Sequence, residues 1–258
     1  MYQRWSLATI AFVLATAQSL AQAPAPPTRM AADARPSFAV AAIKPHDPNS
    51  HDDGMGFHAD GANMRNQTLA RLIMFTYAIH PRQIVDAPDW AEELHYDIDA
   101  KFDTPGAPNL HQQQEMLEKL LADRFQLKFH MEKRELPAYA IRLTKGGLKL
   151  KPATPDEQLD QTGWGNATDR TVVFTNAAMS NLILGMQFFL DRPLVDQTGL
   201  DGRYDFTIHY AEDETNAAPN APPGIFTAVQ EQLGLKFETA KALVDVLVID
   251  HAERPSPN

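Results

Sequence analysis

Strict alternation at Tyr96–Phe102 puts Tyr96, Ile98, Ala100 and Phe102 on one face and Asp97, Asp99 and Lys101 on the other, the period of a strand with one side in a core. The pattern returns 108 residues later, where Tyr204, Phe206, Ile208 and Tyr210 oppose Asp205, Thr207 and His209. The same offset joins Leu127, Lys128 and Phe129 to Leu235, Lys236 and Phe237. Helical spacing precedes each: Leu117, Leu120 and Leu121 in one case, Phe226, Val229 and Leu233 in the other. Upstream the offset becomes 110, aligning Leu69, Leu72 and Ile73 with Met179, Leu182 and Ile183, and Ile84, Val85 and Asp86 with Leu194, Val195 and Asp196. Self-similarity at a fixed period marks repeated units. The pattern therefore predicts an α+β fold made of two copies of a β-α-β-α-β-β unit, with mixed or antiparallel sheets and helices on one face.

The predicted closing strands are Phe125–Arg134 and Ala138–Leu143 in the first copy, Leu235–Thr239 and Val244–Asp250 in the second. Val244, Val246 and Val248 alternate with Leu247 and Ile249, so this last strand is apolar on both faces and belongs at the centre of a sheet. Asp201 and Gly202 predict a tight turn before the Tyr204 strand. The expected organisation is a signal peptide at 1–21, a flexible Ala/Pro-rich lead at 22–37 and a first unit at 38–150. A linker at 151–169 with two prolines and two glycines, a second unit at 170–253 and a frayed tail at 254–258 follow.

The signal is read from Arg4, the apolar run Leu7–Ala17 and the small residues after it, with cleavage expected between Ala21 and Gln22. The run is too short for a stable membrane span. The 258 residues carry a net charge of −10, and loss of residues 1–21 removes Arg4 and no acid. An acidic chain without a basic run is a poor partner for nucleic acid or an anionic membrane surface. No cysteine is present, which excludes disulfides, thiolate nucleophiles and sulfur-ligated metals. The protein is thus expected to be periplasmic or secreted.

Several phrases in order, FAVAAIKP (Phe38–Pro45), LADRFQLKF (Leu121–Phe129), RELPAY (Arg134–Tyr139), RPLVDQTGLDGRYDF (Arg192–Phe206), AVQEQLGLKF (Ala228–Phe237) and VLVIDH (Val246–His251), carry a resemblance. Together they resemble a family of exported proteins of unknown function, expanded in soil Acidobacteria. The resemblance implies no catalytic residue, cofactor or ligand. It hints at sensing or interaction, because relatives of the domain are joined in some proteins to membrane-embedded sensor peptidases.

The densest polar cluster is His46, Asp47, His51, Asp52, Asp53 and His58. Its loop composition gives no periodic spacing to aim ligands at zinc, so it is read as a solvated loop, with no metal assigned. Ser37, Ser180 and Ser256 lack the glycine-flanked turn of a nucleophile. Ser180 is read instead as part of a helix-capping stretch, Thr175–Asn181. Asp196, Asp201, Arg203 and Asp205 are read as a turn fixed by an arginine between carboxylates, and Trp90 as a buried anchor. No catalytic residue and no cofactor is assigned. The expected role is a non-catalytic binding or interaction module of the envelope, with a protein or glycan partner. The alternatives are a hydrolase with a site between the two units, or a structural envelope protein.

Overall fold

The computed structural model describes residues 28–153, 161–164, 170–187, 189–211 and 221–256. In chain order the elements are β1 (Phe38–Pro45), β2 (Gly54–Phe57), β3 (Gly61–Gln67), α1 (Leu69–Tyr77), β4 (Ile84–Val85), α2 (Trp90–Glu93), β5 (Tyr96–Phe102), α3 (Leu110–Arg124) and β6 (Lys128–Leu143). There follow β7 (Lys151–Pro152), β8 (Gln161–Trp164), β9 (Arg170–Ala177), α4 (Met179–Met186), β10 (Leu194–Asp196), β11 (Tyr204–Tyr210), α5 (Ile225–Ala228) and β12 (Leu235–His251). The turn Val229–Leu233 extends α5 with π spacing. The fold is α+β, with three four-stranded sheets ordered β1-β5-β3-β2, β10-β6-β12-β4 and β7-β11-β9-β8.

Local chemistry sets the helix starts. Thr68 caps α1 by accepting from Arg71 N–H, and Asn109 with Gln112 forms a capping box on α3. At α4 the cap falls to Asn181, which accepts from Ala178 N–H, rather than to Ser180. Before both α1 and α4 the strand carries a bulge with an asparagine in the left-handed region, Asn66 (φ 58°) and Asn176 (φ 51°). Asparagine tolerates that conformation better than most residues. Each donates its N–H to the aspartate at the second position of the strand it pairs with: Asn66 to Asp97 of β5 at 3.2 Å, Asn176 to Asp205 of β11 at 2.7 Å.

The first core gathers Ile43, Met64, Leu72, Ile98, Leu117 and Phe125, and takes Leu247 and Ile249 from the far end of β12. The second gathers Phe174, Leu182, Ile208, Tyr210 and Val229, and takes Ile141 from β6. Each lobe is thus completed by strand residues from the other half of the chain. β6 and β12 pair antiparallel along their whole length, with Glu135 opposite Leu243 near the middle. β4 then adds parallel to β12, and β10 parallel to β6. A second junction joins the lobes near the ends of α1 and α4. Here buried His80 hydrogen-bonds through Nε2 to Leu190 O at 3.0 Å, and Gln187 Nε2 donates to Ala78 O at 2.9 Å.

Several expectations are corrected. The closing pairs Phe125–Arg134 with Ala138–Leu143, and Leu235–Thr239 with Val244–Asp250, are one continuous strand each, and Phe125 caps the end of α3. Pro137 does not break β6. Tyr139 N–H donates to Pro193 O on the β10 side, so Pro137, two residues earlier, turns its missing donor to the same edge before β10 begins, and the ladder to β12 loses nothing. Three strands, not one, precede α1, and the stretch expected as linker supplies β7 and β8. The lead is held from Thr28 onward: Met30 is buried, its N–H donates to Ala107 O, and Gln112 Nε2 donates to Ala31 O and Ala34 O. The tail is held as well, with Glu253 N–H donating to Phe125 O and Arg124 to Ser256 O. The left-handed turn residue before β11 is Gly199 (φ 70°), not Gly202, whose missing Cβ makes room for the Tyr204 ring. The cleavage residues Ala21 and Gln22 lie outside the described residues.

Candidate functional site

The two outer sheets differ at one edge. In the first lobe β1 covers β5 from Pro45 opposite Tyr96 to Phe38 opposite Phe102. In the second, β7 pairs with β11 only at Tyr204 and Asp205. The chain just before β7 is drawn off toward the end of α5, where Thr144 N–H donates to Gly234 O and Lys149 N–H to Leu233 O. Gly234 (φ 70°) permits this approach, since a Cβ there would stand 2.1 Å from Gly147 O.

A cleft of about 370 Å³ opens along the separated strand, lined by Lys149 and Lys151, by Asp205, Phe206 and Thr207 of β11, and by Gln232 and Leu233. Val173, Phe174 and Thr175 of β9 complete it. Its apolar floor is Phe206 stacked on Phe174, with centroids 4.5 Å apart. Strand alternation fixes the direction of the backbone groups. Arg203 O accepts from Ala153 N–H on the outer edge, and His209 N–H and C=O are both met there by the Gln232 side-chain amide at 2.9 and 2.7 Å. Thr207 lies between them at the same phase, so its N–H and C=O point into the cleft. Among the described residues no strand covers β11 beyond Asp205 on this side. Gln232 therefore takes the place of one strand residue along this edge.

Charge is asymmetric around this edge. Lys149 Nζ donates to Glu231 O at the cleft mouth, beside Lys151. The carboxylate among the lining residues, Asp205, is turned to Asn176 N–H, and Arg203 donates to Asn176 O at 2.6 Å. Of the turn group expected to be bridged by arginine, Asp196 accepts from Thr198 N–H and Oγ1, so Asp196 and Asp205 each hold a separate piece of backbone.

The histidine- and aspartate-rich loop is spread out. His46 turns inward, Nδ1 lying 2.7 Å from Asp97 Oδ1, while Asp53 pairs with Arg71 and His58 contacts Asn63. Among the described residues no group of three or more such side chains is placed to hold a metal. Asp97, expected on a solvent face, is buried; burial raises its carboxyl, but the hydrogen bonds from His46 and Asn66 outweigh this and leave it below its ordinary value. Ser37 ties β1 to the end of β5 through Asp103. Trp90 packs half-buried on the first core. The open β11 edge was not legible from sequence, because nothing in KGGLKLKP (Lys145–Pro152) distinguishes a zipped strand from one drawn aside.

These features define an α+β protein of two lobes astride a shared central sheet, one lobe carrying an incompletely covered strand. The chain belongs to the DUF3738 family, proteins of unknown function, whose profile matches residues 70–252. No curated protein and no solved structure matches it. No helix among the described residues is long and apolar enough to cross a membrane.

Proposed function

We propose that the protein is an exported, non-catalytic binding module of a soil-bacterial cell envelope that takes an extended polypeptide at the open edge of β11. The observation that carries this reading is the contrast between β5, covered along its length, and β11, where among the described residues no strand meets Thr207, whose N–H and C=O face the cleft as an edge open to strand addition. Export rests on the features of residues 1–21. The two lobes are read as copies of one unit, supported by their matching element order and by the paired asparagine bulges. A hydrolase reading draws on the same cleft, but its lining offers one carboxylate, already engaged by Asn176, and no histidine. A glycan partner gains less support, because the floor is two stacked phenylalanines rather than an exposed ring.

Thr207→Pro tests the reading. The N–H it removes points away from β9, so the sheet keeps its ladder. Extended peptides enriched from a display library by the wild-type chain and lost on Thr207→Pro support strand addition. Enrichment insensitive to this substitution overturns it.

A further inference from the structure

We infer that the occupant of the β11 edge is the C-terminal tail of a polypeptide, lying antiparallel to β11 with its terminal carboxylate against Lys149 and Lys151. This rests on the reading of that edge as a strand-addition site. Length comes first: β7 already pairs at Asp205 and Gln232 fills the position at His209, so the open stretch is centred on the single residue Thr207. An added strand continuing the line of β7 must stop where Lys151 begins. A tail running antiparallel to β11, as β1 runs to β5, brings its C-terminus to that end. A parallel tail brings its ammonium there instead.

Charge then chooses between the two directions. Lys149 and Lys151 line that end in a chain of net charge −10, so a terminal carboxylate is attracted and a terminal ammonium repelled. Asp205, the opposing charge, is held toward Asn176. The tail residue opposite Thr207 shares its outward face, and the residues on either side turn toward Phe206, Phe174 and Leu233. An apolar side chain next to the terminus meets this floor. Gln232 sets the length limit, because its amide occupies the next position along the strand.

The test uses the purified chain and a peptide of the sequence of Ala41–Ile43, part of the strand that covers β5, carrying its label on a flexible glycine linker at the amino end so that it leaves the edge before Gln232. It is made with a free carboxylate and as the carboxamide, and anisotropy reads the binding. The carboxylate form is expected to bind about tenfold more tightly, the scale of one charge-assisted hydrogen bond. Lys151→Gln should erase most of that preference, and Gln232→Ala should improve binding of a peptide extended at its amino end. Equal binding of both forms, each lost with Thr207→Pro, overturns the C-terminal assignment while strand addition stands. No binding of either form by folded wild-type protein overturns both.

Discussion

The first lobe closes its sheet with an eight-residue strand, whereas the second gives the same edge two residues and a glutamine side chain. Much else corresponds, including the asparagine bulges, the helices that follow them and the long strands shared between the lobes. The difference turns on the end of the helix before the long strand. There the first lobe has Gln126 (φ 50°) and the second has Gly234 (φ 70°), with Gly147 O pressed against it. A side chain is tolerated at one position and not at the other, and the strand is drawn aside only where it is not. Similar frameworks can thus end in differently covered edges through one local approach of backbone to backbone.

The largest expected effect tests whether the lobes stand or fall together. Val246 is fully buried in β12, in a cluster with Val244 and Val248 that also touches Val85 and Val195. Val246→Asp should cost about 4 kcal/mol or more, from an unpaired charge in a packed site. Thermal unfolding followed by circular dichroism should show one transition lowered as a whole; a surviving second transition would mean that the lobes are independent. Gly234→Ala comes next. A Cβ at this point overlaps Gly147 O, and a loss of about 2–4 kcal/mol in denaturant unfolding is expected. The mirror change, Gln126→Gly, relieves a left-handed side-chain residue and should stabilise by about 0.5–1 kcal/mol.

A smaller effect concerns the junction at His80. Burial lowers its pKa, and the Arg82 charge pushes the same way, against the Leu190 carbonyl and Asp191. A histidine with a depressed native pKa contributes stability that is complete above its unfolded value of 6.5 and is lost as pH falls through the native one. Urea midpoints should therefore decline below pH 6.5 in the wild type and less in His80→Gln. The smallest effect is expected at the exposed pair Lys133–Asp245, 2.9 Å apart on the central strands. Lys133→Ala should shift stability by less than about 0.5 kcal/mol, and a larger loss would show that this pair contributes more than a solvated ion pair ordinarily does.

Sequence periodicity was most informative where one face meets a core. The strands at Tyr96 and Tyr204, the helices around Leu120 and Leu182, and the doubly apolar stretch at Val244–Ile249 all occur where the alternation predicts. Periodicity reports which face is buried but not against what, so the exchange of Ile141 and Leu247 between lobes was invisible in it. The continuity of β6 through Pro137 was hidden for a related reason: the effect of a proline depends on which edge its nitrogen faces, and that requires the neighbouring strand. The site was hidden more deeply. Gln232 reads as a polar helix residue, and only its contact with His209 shows it completing a strand.

The interleaving of β6 and β12 also bears on how the chain reaches its final form. Leu247 and Ile249 stand about 200 residues along the chain from Ile43, yet they help fill the same core. The first core therefore lacks part of its interior until β12 has been made. Contacts of such long sequence separation slow assembly and keep early segments pliable. Truncation before β12 leaves no self-sufficient remnant, and a polypeptide of this design stays in a threadable state until β12 joins it.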